Sequence, residues 1–195
     1  MLFKSRKGLD FTRKKRKVNH KAVRSVSIWI VEIIIVVLLA FITVFFFGKR
    51  VGVVGKSMET SLYSDEQVLV NKFIYKVSKP KKNDIIVFKP NGNKKSPYYL
   101  RRVIATPGDS VQIKNGMIYI NGKMLQENRR VATIENPGIA NKKIRLNKDE
   151  YFVLGDNRNN SEDSRYSSVG NVKAKYIEGK AWLKVVPFSR VGFVK

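Results

Sequence analysis

A serine stands just past the end of a long apolar run, in the sequence Gly55-Lys56-Ser57-Met58. A serine hydroxyl is a poor nucleophile until a neighbouring group removes its proton. The chain has no cysteine, and its single histidine, His20, lies before the apolar run. A thiol nucleophile and a Ser-His-Asp triad are therefore excluded. The known substitute base for a serine is a lysine kept neutral by burial.

Two further polar clusters, residues 99–109 and 155–165, interrupt a background of short apolar runs. The second cluster directly follows a strand-like run, so its polar groups must bond one another if they are buried. We predict that Asp163 and Arg165 pair with each other or with Arg102. Each cluster by itself also fits an ordinary turn or a solvated pair of arginines, so a functional interpretation rests on their combination.

The apolar run covers residues 26–47 and contains one charged residue, Glu32. At about 1.5 Å per residue, a helix of this length matches the roughly 30 Å hydrocarbon core of a bilayer. Lys and Arg residues are concentrated before the run, which predicts a single-pass anchor in the cell membrane with its N-terminus in the cytoplasm. The run is not followed by a small-x-small cleavage site, so we predict an uncleaved anchor and not a removable signal peptide.

Beyond the run, the pattern changes to short β-type segments separated by turns. Strands are predicted at residues 67–74, 84–88, 100–105, 110–113, 117–120, 150–154 and 176–186. Asn115-Gly116 and Asn121-Gly122 are typical of tight hairpin turns. Because a long amphipathic helix pattern is missing from this part, the predicted fold class is mostly β: one N-terminal transmembrane helix followed by an extracytoplasmic domain of antiparallel strands.

These patterns predict three parts of the chain. Residues 1–25 form a basic cytoplasmic segment, residues 26–47 the transmembrane helix, and residues 48–195 the β domain, in which 127–148 is an exposed insertion. The formal net charge is +24, which favours attraction to anionic lipid headgroups. A nucleic-acid partner is not expected, because the sequence has no zinc knuckle, recognition helix or aromatic RNA-binding signature.

Taken together and in this order, the motifs resemble those of the bacterial type I signal peptidases, in particular the short Gram-positive form with one N-terminal span. These are membrane-anchored Ser/Lys proteases. The resemblance runs from the anchor almost to the C-terminus and rests on Ser57-Met58, Asp84-Ile85-Ile86-Val87-Phe88, Arg102-Val103-Ile104 with Pro107-Gly108-Asp109, Gly155-Asp156-Asn157-Arg158 through Ser161, Asp163-Ser164-Arg165 and Gly179.

The resemblance implies a β fold of the signal peptidase type, in which Ser57 is the nucleophile and its own N–H contributes to the oxyanion hole. Ser161 matches the residue that hydrogen-bonds the general base. Arg102, Asp163 and Arg165 match an ionic group that supports the site. The implied substrates are the signal peptides of secretory preproteins, with small residues before the scissile bond, and neither a metal nor an organic cofactor is implied.

The general-base position departs from the family pattern. The family has a lysine followed by an arginine before Val-Ile, whereas this chain has Arg101 and Arg102. An arginine stays protonated at ordinary pH and cannot take a proton from Ser57. Two functions therefore remain open: a signal peptidase that removes signal peptides from exported preproteins, and a catalytically inactive paralogue that binds signal peptides or helps to assemble surface proteins.

Overall fold

The computed structural model describes residues 20–129 and 131–194. Its helices and strands, in chain order, are α1 (His20–Phe47), β1 (Lys49–Gly52), β2 (Gln67–Asn71), α2 (Ile74–Val77), β3 (Ile85–Phe88), β4 (Tyr99–Ala105), β5 (Ser110–Lys114), β6 (Met117–Ile120), β7 (Lys123–Met124), β8 (Ile144–Arg145), β9 (Glu150–Leu154), β10 (Val172–Lys173), β11 (Ile177–Val186) and β12 (Gly192–Phe193). The chain divides into two compact units, Met1–Phe41 and Ile42–Lys195.

The first unit consists, as far as it is described, of the greater part of α1. Within this helix, Lys21–Ile42 is long and apolar enough to cross a membrane. Its large apolar side chains are exposed, Trp29 to 67% for example, which is the pattern of a helix that packs against lipid and not against a protein core. Most of the predicted basic segment, residues 1–19, lies outside the described residues.

The second unit contains two antiparallel sheets. The larger sheet has the order β1-β2-β11-β3-β4-β9-β10, with β12 added beside β11. Strands β3 and β4 lie in its middle and are almost entirely buried. Their sequences are accordingly continuous apolar runs, except at Arg101 and Arg102. The smaller sheet has the order β7-β6-β5-β8. The predicted fold class, mostly antiparallel β after one apolar helix, is confirmed.

The two Asn-Gly turns build the smaller sheet as predicted. Residues 115 and 116 join β5 to β6, residues 121 and 122 join β6 to β7, and both asparagines have positive φ. Inward-facing residues of the first hairpin, among them Val111 and Ile118, pack in one cluster with Phe152 of β9. The smaller sheet is therefore fastened to the same strands that carry the polar motifs.

One strand is shorter than predicted. The sequence pattern indicated a strand over residues 67–74, but β2 ends at Asn71 and α2 begins at Ile74. The Asn71 side chain accepts hydrogen bonds from the backbone N–H groups of Phe73 and Ile74, each over 3.0 Å. This local capping turns the chain away from the sheet, because an Asn carbonyl competes with ladder hydrogen bonds.

Segment 127–148 was predicted to be an exposed insertion. Many of its described residues are exposed, yet Ile134, Ala140 and Leu146 are buried in the cluster beneath the smaller sheet. Within the same segment, β8 pairs with β5. Sparse apolar residues without a periodic pattern are therefore enough to attach this segment to the core.

Candidate active site

Ser57 lies in a turn that follows β1 and is half-buried. Two apolar neighbours in the turn, Met58 and Leu62, are fully buried, and the Leu62 N–H donates to the Met58 carbonyl over 2.8 Å. Gly55 has φ +75°, a left-handed conformation that suits glycine because it lacks a Cβ. The buried side chains of Met58 and Leu62 fix the turn, while Lys56 on its outer side is exposed.

The turn is held against the polar cluster 155–165. The Asn157 N–H donates to the Ser57 carbonyl over 3.1 Å. The backbone approaches so closely here that a Cβ at Gly155 would lie 2.5 Å from the Ser57 carbonyl oxygen and 2.1 Å from Ser161 Oγ. A glycine is therefore required at position 155 for steric reasons.

Arg101 contacts the serine hydroxyl from the middle of β4. Its Nη1 donates to Ser57 Oγ over 2.8 Å and to the Leu100 carbonyl over 2.6 Å, and its Nε donates to the Glu162 carbonyl over 2.8 Å. The guanidinium also lies 4.9 Å from the centre of the Tyr99 ring. Arg101 is only 7% exposed, so it is a buried cation placed directly beside Ser57.

This arrangement can polarise the serine but cannot deprotonate it. Burial lowers the pKa of Arg101, and the charge of Asp163 opposes that shift. A guanidinium nevertheless keeps its proton in proteins and has no acceptor. It can stabilise a serine alkoxide or another negative oxygen by a charge-assisted hydrogen bond, whereas general-base catalysis needs a group that accepts the proton.

Ser161 does not make the hydrogen bond expected of it. Its Oγ is buried and finds no hydrogen-bond partner among the described residues. The long guanidinium of Arg101 extends to Ser57 and to the Glu162 carbonyl instead. The guanidinium is planar and its N–H groups point in fixed directions, so the groups that bond Ser57 and the Glu162 carbonyl cannot also turn toward Ser161.

Two buried ion pairs fix the loop around the serine. Arg102 binds Asp156 in a bidentate manner, from Nε over 2.7 Å and from Nη2 over 2.6 Å. Asp163 and Arg165 form a second bidentate pair, with 2.8 Å from each of Nε and Nη2. The Asp163 carboxylate also accepts the Gly155 N–H over 3.1 Å. Of the two alternatives foreseen for Asp163, its partner is Arg165, and Arg102 pairs elsewhere.

Comparison with known proteins identifies the family. The family model described as signal peptidase, peptidase S26, matches residues 26–186. The chain belongs to the signal peptidase family. It is 34% identical to signal peptidase I P of Bacillus subtilis subsp. natto over 192 residues, which is 95% of this chain and 100% of that protein.

A relative from another genus is also similar over most of this chain. Signal peptidase IB of Staphylococcus aureus (strain COL) is 34% identical over 179 residues, covering 82% of this chain and 91% of that protein. Among solved structures, a signal peptidase I from Enterococcus faecalis V583 matches 53% of this chain and 97% of its own with 33% identity and a TM-score of 0.41.

The polar partners of the signal peptidase motifs were partly missed by reasoning from the sequence. The sequence pattern did not predict an ion pair for Asp156, yet it is the buried carboxylate that neutralises Arg102. Burial acts to raise the pKa of Asp156, but the hydrogen bond and charge of Arg102 outweigh it, and the pKa is lowered. The sequence contained a signal for this ion pair, because an acidic residue that follows a buried strand needs a cationic partner.

Glu162 was missed as well. Its backbone carbonyl accepts from Arg101, while its carboxylate accepts from the Tyr99 hydroxyl over 2.9 Å and from the Ser168 hydroxyl over 2.6 Å. Hydrogen bonds from Ser168 and Tyr99 lower the pKa of Glu162. Among the residues that the structure describes, His, Asp and Glu side chains do not gather into a group of three or more that is able to hold a metal.

Proposed function

We propose that the chain is a type I signal peptidase, a membrane-bound serine endopeptidase that removes N-terminal signal peptides from exported preproteins. The observation that carries this proposal is the 2.8 Å contact between Ser57 Oγ and the side chain at the family's general-base position. Similarity to proteins named signal peptidase I along nearly the whole chain supports it.

The roles of the site residues follow from their positions. Ser57 Oγ attacks the carbonyl carbon of the scissile peptide bond, and the Ser57 N–H stabilises the oxyanion that forms. Water protonates the leaving nitrogen as this intermediate collapses, so the mature protein departs as the amine and the signal peptide stays esterified to Ser57 until water hydrolyses the ester. Arg102 and the Asp163–Arg165 pair hold the loop that positions the serine.

The proton of Ser57 has to leave without help from Arg101. Water or hydroxide takes it, and the guanidinium stabilises the alkoxide that remains. General-base catalysis contributes about 10²- to 10⁴-fold to a rate, so we expect slow cleavage that accelerates as the pH rises. Among the described residues, a lysine is not found in hydrogen-bond contact with Ser57.

The same residue favours a second candidate function. A site whose base position holds a buried, protonated Arg101 is suited to binding a signal peptide without cleaving it. A catalytically inactive paralogue of this kind would act as a binding factor or in the assembly of surface proteins.

Location and orientation belong to the proposal. The candidate span Lys21–Ile42 acts as an uncleaved anchor in the cell membrane, with segment 1–25 in the cytoplasm and the domain 48–195 outside. The concentration of Lys and Arg before the span supports this orientation. The net charge of +24 supports contact with anionic lipid.

Cleavage by the full-length protein in detergent tests the enzymatic function. The substrate is a preprotein with small residues before its cleavage site, and the fragments are identified by mass spectrometry. The parent should release the signal peptide, Ser57→Ala should release none, and Ser64→Ala, which alters an exposed serine in the same region, should behave as the parent. Cleavage that persists in Ser57→Ala, or none in the parent across the pH range, contradicts the proposal.

A further inference from the structure

Arg101 differs from the other buried arginines in the way its charge is balanced. Among the described residues, four arginines are buried: Arg101, Arg102, Arg158 and Arg165. Three of them have a carboxylate partner at 2.6 to 2.8 Å, supplied by Asp156, Glu127 and Asp163 respectively. Among the described residues, none brings a carboxylate oxygen within 4.0 Å of the Arg101 guanidinium. Burying a charge without a counterion is costly.

The two acids whose charges act on Arg101, Asp163 and Glu162, are both engaged with other groups. Asp163 is paired with Arg165. Glu162 offers Arg101 its backbone carbonyl, but its two carboxylate oxygens accept from the Tyr99 and Ser168 hydroxyls. Those two hydrogen bonds engage both carboxylate oxygens of Glu162, while Arg101 contacts Glu162 only through its backbone carbonyl. Within the described part of the chain, the guanidinium is therefore without a carboxylate in direct contact.

Donor groups remain for such a partner. A guanidinium has five N–H groups, and the hydrogen bonds to the Glu162 carbonyl, the Leu100 carbonyl and Ser57 Oγ use those of Nε and Nη1. The two N–H groups of Nη2 have no acceptor among the described residues. Because Ser57 Oγ accepts from Arg101, the serine hydroxyl is also free to donate its own hydrogen.

We infer that this site binds the free C-terminal carboxylate of a signal peptide after cleavage, with that carboxylate as the missing counterion of Arg101. This inference rests on the proposed function, because it takes the signal peptide as the ligand. Before cleavage the same position of the substrate is an uncharged amide. Donors from Arg101 and Ser57 thus distinguish the cleaved peptide from its uncleaved precursor by charge, and the site retains the product.

Paired peptides test the inference on the unaltered full-length protein in detergent. Two synthetic peptides share one signal-peptide sequence that ends in a small residue, one with a free carboxylate and the other with a C-terminal amide. Hydrogen bonds to charged groups contribute about 1.5–3 kcal/mol, so the dissociation constant from calorimetry should be about tenfold to a hundredfold lower for the free acid. Equal affinities for acid and amide would overturn the inference.

Variants locate the effect. Arg101→Gln removes the charge and should reduce the acid-to-amide preference to about one, whereas Lys56→Gln removes an adjacent exposed charge and should leave the preference unchanged. Loss of the preference in Lys56→Gln, or its persistence in Arg101→Gln, contradicts the assignment. Sodium acetate should not compete at the concentrations at which the acid peptide binds, and competition there would show a general anion site in place of a peptide site.

The result is separable from the test of the proposed function. The peptide comparison needs no cleavage, and the cleavage assay needs no product binding. If acid and amide bind equally and the preprotein is cleaved, the carboxylate site is wrong and the peptidase assignment stands. If the acid is preferred and cleavage is missing in the parent, the carboxylate site stands and the enzymatic function is wrong.

Discussion

Arg101 Nη1 donates a hydrogen bond to Ser57 Oγ over 2.8 Å. The side chain that contacts the candidate nucleophile therefore stays protonated and can only donate hydrogen bonds. Ser161 Oγ, which has no hydrogen-bond partner in the part of the chain that the structure describes, lies in the same site. A lysine at position 101 would be desolvated by the same surroundings, which lowers its pKa. It would then be able to accept the serine proton, with Ser161 Oγ available to accept a hydrogen bond from its Nζ.

We therefore predict that Arg101→Lys raises the rate of preprotein cleavage by about 100-fold or more, the lower end of what a general base contributes. The measurement is the initial rate at pH 8 in detergent, compared with the parent at the same concentration. The double variant Arg101→Lys with Ser57→Ala is the control and should be inactive. An unchanged rate in Arg101→Lys would mean that the site lacks more than a base.

The Arg102–Asp156 pair should be essential for stability. Asp156→Ala leaves the buried Arg102 charge without its carboxylate, and breaking a buried pair in this way costs about 3–5 kcal/mol. The thermal unfolding midpoint of the full-length protein in detergent should fall accordingly. Glu178→Ala, which removes the partly exposed partner of Lys49 at 2.8 Å, should cost about 1 kcal/mol or less. Similar losses for both variants would contradict this ranking.

The sequence predicted local features better than partnerships. The Asn115-Gly116 hairpin follows from turn chemistry that acts within a few residues, and it is present. The choice between Asp156 and Asp163 for Arg102 depends on how a loop folds over β4, because both acids lie within reach along the chain. The strand register that places Arg102 opposite Leu154 brings Asp156 to it, and periodicity contains no such information.

Position 101, where arginine replaces the lysine of the family pattern, shows the same difference between what the sequence predicts and what it does not. Residue type alone established that position 101 cannot serve as a base. The consequences depend on the folded chain. Arg101 reaches Ser57, the Glu162 carboxylate is held by Tyr99, and Ser161 Oγ has no partner among the described residues. The charge balance of a buried site depends on all the surrounding elements, which the sequence of one strand does not contain.

Gly155→Ala should disturb the site directly. The added Cβ would lie 2.1 Å from Ser161 Oγ and 2.5 Å from the Ser57 carbonyl oxygen, so the backbone has to move. Such overpacking costs about 1–3 kcal/mol, and displacement of Ser57 should lower cleavage and peptide binding together. Gly52→Ala, where the new Cβ has nothing within 4 Å, is the control. Unchanged binding and stability in Gly155→Ala would refute the close approach.

The turn after β4 should make stability depend on pH. Burial acts to raise the pKa of Asp109, but hydrogen bonds from Thr106, Lys82 and Asn121 outweigh it and lower the pKa from 3.8 to about 2. A lowered folded-state pKa means that Asp109 stabilises the fold above its unfolded pKa of about 4, and that this contribution is lost as the pH falls through about 2. Because Asp109 is partly open to solvent, screening reduces this contribution, and Asp109→Asn should cost about 1 kcal/mol at pH 7.

The cost of Asp109→Asn should shrink steadily between about pH 5 and pH 2, because the parent loses the ionised carboxylate over that range. Thermal unfolding midpoints of parent and variant in detergent, followed by tryptophan fluorescence at each pH, measure the difference. Asp65→Asn is the matched control: Asp65 is exposed and has φ +67°, a conformation that asparagine also tolerates. A difference for Asp109→Asn that stays constant from pH 7 to pH 2 would contradict an electrostatic origin and indicate a loss of packing.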